Sequence, residues 1–472
     1  MYKPYINTPD GLGAYQKLMI GGGIDTSQTS FAINPSSASY IRNMSARNFP
    51  ALSSREGRKG EYNYTVTTKR GIGTRENDTL LLVDGDVWKY DNSGTITTIQ
   101  TFATGSRTNR CEFAQFDAGD NVYSIVTDGV NRYAWNGTAV TNLSSYAQTA
   151  STILTAFNGR LFWAIGRTLY ASALNDITDY TTLDGVDTDS WSGTITQVQD
   201  DIVALRCYGN HVQMFTSNAL FELYGTKPST YTVVPVYAGV GCVGQFAVIE
   251  ANGFQYFMDT TGVYKYNGGS YTKMSSPVDA YISEMNETYK SLTTLAADSK
   301  YLYVAFPYGS SATSNNIILK YDFEKGVWFV DTGSFIDMTS FPKKTLALDA
   351  DGKIWTMGVG TADDPYTGDD VAVSWDWISK AFTGEQLKSR NSVSEIWVAI
   401  YLPSGSTATA YFSTDPSGTT GFTSAKVFST SASIQNVAIN ASALANANWY
   451  RLRITGTGPC DIHYVDIHQR SV

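Results

Sequence analysis

The feature that most limits what this chain can fold into is a short cassette that recurs from about Thr79 to Gly360. Each copy reads as an apolar strand, a Gly or Asn turn, and a second strand rich in aromatic residues, as in SIVTDGVNRYAW (Ser124–Trp135) and YFMDTTGVYKYNG (Tyr256–Gly268). The turn residues Gly85, Gly129, Gly166, Asn218, Gly262, Asn316 and Gly352 recur at intervals averaging roughly 44 positions, inside the range of about 40–50 residues per propeller blade. One cassette cannot bury both faces of its strands, whereas copies stacked in a closed ring bury them and remove exposed edges. The sequence therefore predicts an all-β chain whose residues 61–365 form a seven-bladed β-propeller. Six blades result if the longest intervals hold extra hairpins or the last cassette belongs to a linker.

Short apolar runs precede the later cassettes and fit the first strand of each blade: Cys111–Phe116, Thr152–Phe157, Ile202–Tyr208, Gln245–Ala251 and Ser291–Ala297. Near-continuous apolarity is expected where neighbouring blades cover both faces. Glu61–Gly71 alternates and is the candidate strand that closes the last blade. Ser275–Ser291 departs from the β pattern: Pro277 and Asp279 precede Val278, Ile282 and Met285 at helical spacing, which predicts a short helix. It lies on the surface between blades or packs on a neighbouring subunit.

On either side of the repeats the pattern changes. Residues 1–60 carry Gly21–Gly22–Gly23, Pro35 and Pro50 and show no strand period, so they are expected as an extended N-terminal arm. The acidic TADDPYTGDD stretch (Thr361–Asp370) marks a boundary. Beyond it, residues 366–472 hold seven alternating segments with short turns in about 100 residues, the pattern of a C-terminal β-sandwich.

Little in the composition points to chemistry. Thirty-four Lys and Arg against 43 Asp and Glu give a formal net charge of −9, with no basic run. A protein that grips phosphates shows a positive stripe, so specific nucleic-acid binding is not expected. Cys111, Cys207, Cys242 and Cys460 are scattered without a C-x-x-C pair and are expected as buried thiols rather than disulfides or zinc ligands. No run of 18 apolar residues is present to span a membrane, and the start lacks a secretory pattern.

Histidine is the commonest general base and metal ligand, yet the chain has three. His463 and His468 differ by five positions, which on one strand places them on opposite faces; His211 stands alone. Asp184, Asp187 and Asp189 are dense enough to suggest a calcium loop, but the Gly placement and terminal Glu of an EF-hand are missing, and a solvated acidic turn is expected. No acid/base pair of a glycosidase can be named. Trp135, Trp163, Trp191 and Trp328 could form sugar platforms, but aromatic residues recur at one cassette position, which argues for packing between blades. No catalytic, cofactor-binding or metal-binding residue is expected, and no cofactor.

One stretch adds a resemblance. Gly22–Gly23–Ile24–Asp25, a Ser/Pro spacer, Ile41–Arg42–Asn43–Met44 and then Pro50–Arg58 (PALSSREGR) open the repeats. This resembles the entrance of the tail nozzle, or packaged-DNA stabilisation, propeller proteins of tailed bacteriophages (tail tubular protein-like). In that family a leader ends on a similar phrase; here Glu56 replaces its proline, and Gly456–Pro459 resembles the turn between the last two strands of its terminal sandwich. The resemblance implies a virion tail protein, made in the bacterial host cytoplasm and not an enzyme. It forms a ring, usually a hexamer, that docks on the adaptor or head-to-tail connector and on other tail proteins. DNA passes through the lumen without specific binding, and no membrane is involved. The alternatives are a tail protein that binds a glycan or receptor through blade loops, and a polysaccharide-degrading propeller.

Overall fold

A computed structural model describes residues 14–471 apart from 77–78, 92–93, 104–108, 145–150, 342–343, 384–390 and 445–446. The chain is all-β. Seven antiparallel sheets of four strands follow one another along the sequence, an arrangement consistent with a β-propeller. The middle two strands of the first are Thr79–Asp84 and Val87–Asp91, joined at Gly85, whose φ of 59° favours glycine. The middle strands of the sixth, Tyr301–Phe306 and Ile317–Asp322, are joined by a longer loop that contains Asn316.

The first strand of every sheet touches the first strand of the next. The series Lys69–Arg75, Glu112–Asp117, Leu154–Phe157, Ile202–Tyr208, Val248–Ala251, Thr294–Ala297 and Phe335–Phe341 closes on itself, the last strand touching the first. Apolar side chains of neighbouring sheets interlock between them. Phe162 and Ala164 of the third sheet share a cluster with Met214 and Phe221 of the fourth, and Trp88 of the first meets Trp135 of the second edge to face, 6.3 Å between centroids.

The closing strand differs from the expected one. The fourth strand of the seventh sheet is Arg58–Gly60, paired with Ile354–Met357 through Lys59 opposite Thr356. Of the expected Glu61–Gly71, only Lys69–Gly71 is strand, and it opens the first sheet. Arg-Lys-Gly carries no β signal of its own; it pairs because Ile354–Met357 offers an edge, with the Gly57 N–H donating to the Gly360 carbonyl at 3.0 Å just ahead of it.

Residues 366–472, expected as a β-sandwich, and the leader are built together. One six-stranded sheet contains Asn391–Tyr401, Gln435–Asn440 and Asp461–Ser471 with the leader strands Ala14–Leu18, Met44–Ser45 and Leu52–Ser54. The other contains Ser374–Ser379, Phe382–Thr383, Thr407–Ser413, Thr423–Val427 and Trp449–Thr457 with the leader strand Ala38–Arg42. Ile41, Met44, Trp377, Ile396, Leu452 and Ile462 are buried in one cluster. So the expected extended arm contains short strands that pair with the end of the chain: Leu18 lies opposite Val465, and Leu52 opposite Ile462. Its short runs were masked by the Gly and Pro between them. Residues 1–13 of that arm lie outside the described residues.

The expected helix in Ser275–Ser291 is a 3-10 turn, Ser276–Val278, followed by one α turn, Asp279–Ile282. Val278, Ile282 and Met285 are buried. The Pro277 carbonyl accepts from both the backbone N–H and the hydroxyl of Thr26, at 2.8 and 2.9 Å, so the segment docks on the leader of its own chain.

Candidate functional site

Two places concentrate charge away from water. The first is the joint between the seven small sheets and the two large ones, and it is made by the leader phrase Ala51–Arg58. Asn43, at φ 55°, is its upstream anchor. The Asn43 backbone N–H donates to the Val330 carbonyl at 2.8 Å, and its side-chain amide donates to the Ser374 carbonyl at 2.8 Å and accepts from the Thr332 N–H at 2.8 Å. One side chain thus spans the sixth small sheet and the second large one.

Arg55 is 4% exposed and forms a fork-on-fork pair with Asp363, Nη1 to Oδ1 at 2.8 Å and Nη2 to Oδ2 at 2.7 Å. The Arg58 backbone N–H adds a third bond to Asp363, and its guanidinium donates to the Thr332 carbonyl at 2.6 Å. Glu56 lies 3.0 Å from Lys300 and accepts from the Tyr301 hydroxyl at 2.8 Å. Burial alone would raise its carboxyl, but Lys320 and Lys300 hold it down at about 2. Lys320 in turn pairs with Asp331 at 2.9 Å, both nearly enclosed. Gly57 leaves no room for a side chain: a Cβ there would stand 1.9 Å from the Ala362 carbonyl oxygen.

The second place is an axial cavity of about 380 Å³, lined by residues from the first strands of all seven small sheets. Its polar wall is paired across sheets. Arg110 contacts Asp337, donates to Thr294 Oγ1 at 3.0 Å and lies 3.4 Å over the Phe246 ring. Arg206 Nη1 stands 3.4 Å from Glu112 Oε1 and its Nη2 donates to the Gln245 carbonyl at 2.7 Å. The Gln245 side chain accepts from the Leu205 N–H and donates to the Leu154 carbonyl, at 2.8 and 3.0 Å, so Gln245–Ala247 crosses one end of the cavity. Burial pushes the Glu112 carboxyl up to about 7 against the pull of Arg206 and Arg110, and raises Asp337 against Arg110.

The residues weighed from sequence fall elsewhere. Asp184 is exposed. Asp187 pairs with Lys227 at 2.5 Å, and Asp189 Oδ2 accepts from the Val186 N–H at 2.9 Å, so each carboxylate is used locally. Among the described residues no group of three or more His, Cys, Asp or Glu is placed to hold a metal. His211 is buried with its Nε2 2.9 Å from Glu222 Oε1. Glu222 also accepts from the hydroxyls of Tyr224 and Tyr266, both at 2.6 Å; burial would raise it, and these donors hold it at about 2. His463 is half-buried, and the side chain of His468 lies outside the described residues.

Trp135, Trp163 and Trp328 are buried, with Trp163 stacked on Tyr170 at 5.4 Å; Trp191 is half-buried against Tyr231. All four cysteines are free, and Cys207 is less buried than the other three. Burial pushes the Cys111 and Cys242 thiols up to about 12. The sequence reading missed the Arg110–Glu112–Arg206–Asp337 belt. Its residues stand at different places in or just before their first strands, Glu112 at the start, Asp337 third and Arg206 fifth, so no shared position along the chain could have found them.

No family model matches the sequence, and no curated protein matches it either. Among solved structures, the chain is similar to a virginiamycin B lyase from Staphylococcus aureus at 10% identity, covering 63% of this chain and 97% of that one with a TM-score of 0.44. A streptogramin B lyase gives 10% identity, 64% and 97% coverage and a TM-score of 0.44. PorZ, a surface component of the type-IX secretion system of Porphyromonas gingivalis, gives 10% identity, 72% and 44% coverage and a TM-score of 0.40. At these values no activity is carried over to this chain.

Proposed function

We propose that this chain is a structural subunit of a bacteriophage tail: a seven-bladed β-propeller, residues 58–360, fused to a β-sandwich that includes the leader. Several copies form a nozzle-type ring around the DNA exit channel. The observation that supports this reading is the joint. The phrase Pro50–Arg58, on which the resemblance to phage nozzle proteins rests, is the segment that joins propeller to sandwich: Leu52 lies opposite Ile462, Arg55 forms an ion pair with Asp363, Glu56 faces Lys300 and Lys320, and Arg58 donates to the Thr332 carbonyl. Buried pairs of this kind fix geometry more than they add stability, which suits a part that must hold its shape in an assembly.

In this role the chain is not an enzyme. Its partners are copies of itself, the adaptor or head-to-tail connector and other tail proteins, and the mature location is the virion tail. Ring subunits with a net charge of −9 repel phosphate and let DNA slide without being held.

The test is native mass measurement with negative-stain imaging of the purified chain, alone and mixed with the neighbouring tail components. A ring with a central hole is expected. A monomer under both conditions overturns the reading, and a monomer that binds a glycan array favours a receptor-binding role instead.

A further inference from the structure

The axial cavity contains buried polar groups that the protein itself leaves without a partner. Gln255 is fully buried, lines the cavity, and neither its amide nitrogen nor its amide oxygen meets a hydrogen-bonding partner. Glu112, 7% exposed, uses Oε1 toward Arg206, while its Oε2 is likewise unpartnered. A buried polar group left without a hydrogen bond keeps its full desolvation cost, so two such side chains in one cavity point to something that fills it.

The charges narrow the chemistry. In the buried wall Arg110 is matched by Asp337 and, above about pH 7 where Glu112 is ionised, Arg206 by Glu112, while the remaining carboxylate, Glu250, stands exposed at the mouth, so a charged group carried into the interior would meet no unmatched counter-charge. Glu112 Oε2 and Gln255 Oε1 call for donors and Gln255 Nε2 for an acceptor; a hydroxyl supplies both. Phe113 and Phe246 also line the cavity and give it apolar ring surface. Phe113 packs on Gly73, where a Cβ would meet its ring at 2.4 Å. A volume of about 380 Å³ falls in the range of small-molecule sites, about 300–1,000 Å³. The cavity opens toward the end where Gln115 and Glu250 are exposed, opposite the crossing by Gln245–Ala247.

We propose that the axial cavity is a binding site for a neutral, polyhydroxylated molecule the size of one sugar ring, with its hydroxyls on Gln255 and Glu112 and its C–H face against Phe113. The site lies on the axis of a single chain and is independent of whether copies form a ring.

The experiment uses the full chain in saturation-transfer NMR and thermal-shift titrations with glucose, galactose and N-acetylglucosamine, against glucosamine and glucuronate as charged counterparts. At least one neutral sugar is expected to bind saturably with Kd near 1 mM, about −4 kcal/mol, and both charged counterparts at least about tenfold more weakly. Gln255→Leu abolishes binding. Phe113→Leu keeps the apolar volume, serves as the second variant should Gln255→Leu fail to fold, and weakens binding several-fold. Absence of saturable binding by any neutral sugar, equal binding of the charged counterparts, or binding unchanged in a folded variant each overturns the proposal; the cavity then holds only water.

Discussion

Arg55 and Asp363 stand 308 positions apart in sequence and meet through two parallel hydrogen bonds of 2.8 and 2.7 Å. Arg55 belongs to the leader, and Asp363 to the short hairpin Ala362–Asp363 with Val371–Ala372 that links the seventh small sheet to the larger ones. The pair therefore ties the two ends of the ring-forming region to one point.

Asp363→Ala leaves Arg55 and Arg58 buried without their shared carboxylate. Breaking a buried pair from one side costs about 3–5 kcal/mol. The expected result is a matching fall in unfolding free energy by urea titration at neutral pH. The double replacement Arg55→Met, Asp363→Leu, which removes both charges, is expected to recover at least half of that loss.

Gly57→Ala tests the same joint sterically. The added methyl meets the Ala362 carbonyl oxygen at 1.9 Å, and relief requires the backbone to move, at about 1–3 kcal/mol for overpacking. Gly269→Ala is the control, since nothing lies within 4 Å of its Cβ position and surface changes of this sort stay within about 0.5 kcal/mol. Differential scanning calorimetry of both variants separates the effects.

Stability depends on pH with two opposite signs. Glu56 and Glu222 are held at about 2 in the folded chain, below the ordinary 4.5 of a glutamate. Their contribution is complete above the unfolded pKa and is lost as pH falls from about 4.5 toward 2. Glu112, facing Arg206, Arg110 and Asp337, is raised to about 7. Between about 4.5 and 7 the native state keeps a proton that the unfolded chain has released, so stability falls as pH rises through that window. Glu112→Gln is expected to flatten the slope of urea midpoint against pH between 5 and 7. Glu222→Gln is expected to lower the midpoint at pH 7, with the difference shrinking toward pH 3.

Deleting residues 1–50 distinguishes a dispensable arm from a built-in one. The leader read from sequence alone is an arm whose loss leaves the propeller's melting nearly unchanged and blocks only assembly. The observed pairing predicts otherwise. Leu18, Ile20, Ile24, Ile41 and Met44 are buried, and at about 1.5–3 kcal/mol per side chain their loss rivals the whole stability of a typical domain, about 5–15 kcal/mol. The truncated chain is expected to aggregate, or to bind a hydrophobic dye with loss of its cooperative transition. Unchanged melting would return the leader to the status of an arm.

The architecture was legible where the sequence repeats. The Gly turns and aromatic second strands fixed the middle strands of the small sheets, and runs such as Ile202–Tyr208 coincide with observed first strands. What could not be read depends on partners distant in sequence. Arg58–Gly60 is a strand only because Ile354–Met357 offers an edge, and Ala14–Leu18 only because Asp461–Ser471 does. Leader strands of two to five residues are too short to show a period. The belt of Glu112, Arg206 and Asp337 was hidden for a different reason: nothing along the chain tells a charge that faces the axis from one that faces solvent.

The pairing of the earliest strands with the latest has a consequence on the ribosome. Residues 14–18 find their strand partner, and residues 52–54 the second of their two, only after residues 461–471 emerge, and the seventh small sheet waits for Ile354–Met357 to receive Arg58–Gly60. At about 5–20 residues per second, the leader spends tens of seconds of synthesis with its apolar side chains uncovered, a natural stretch for a chaperone to hold. A nascent product that stops short of residues 461–471 leaves Ala14–Leu18 without its strand partner.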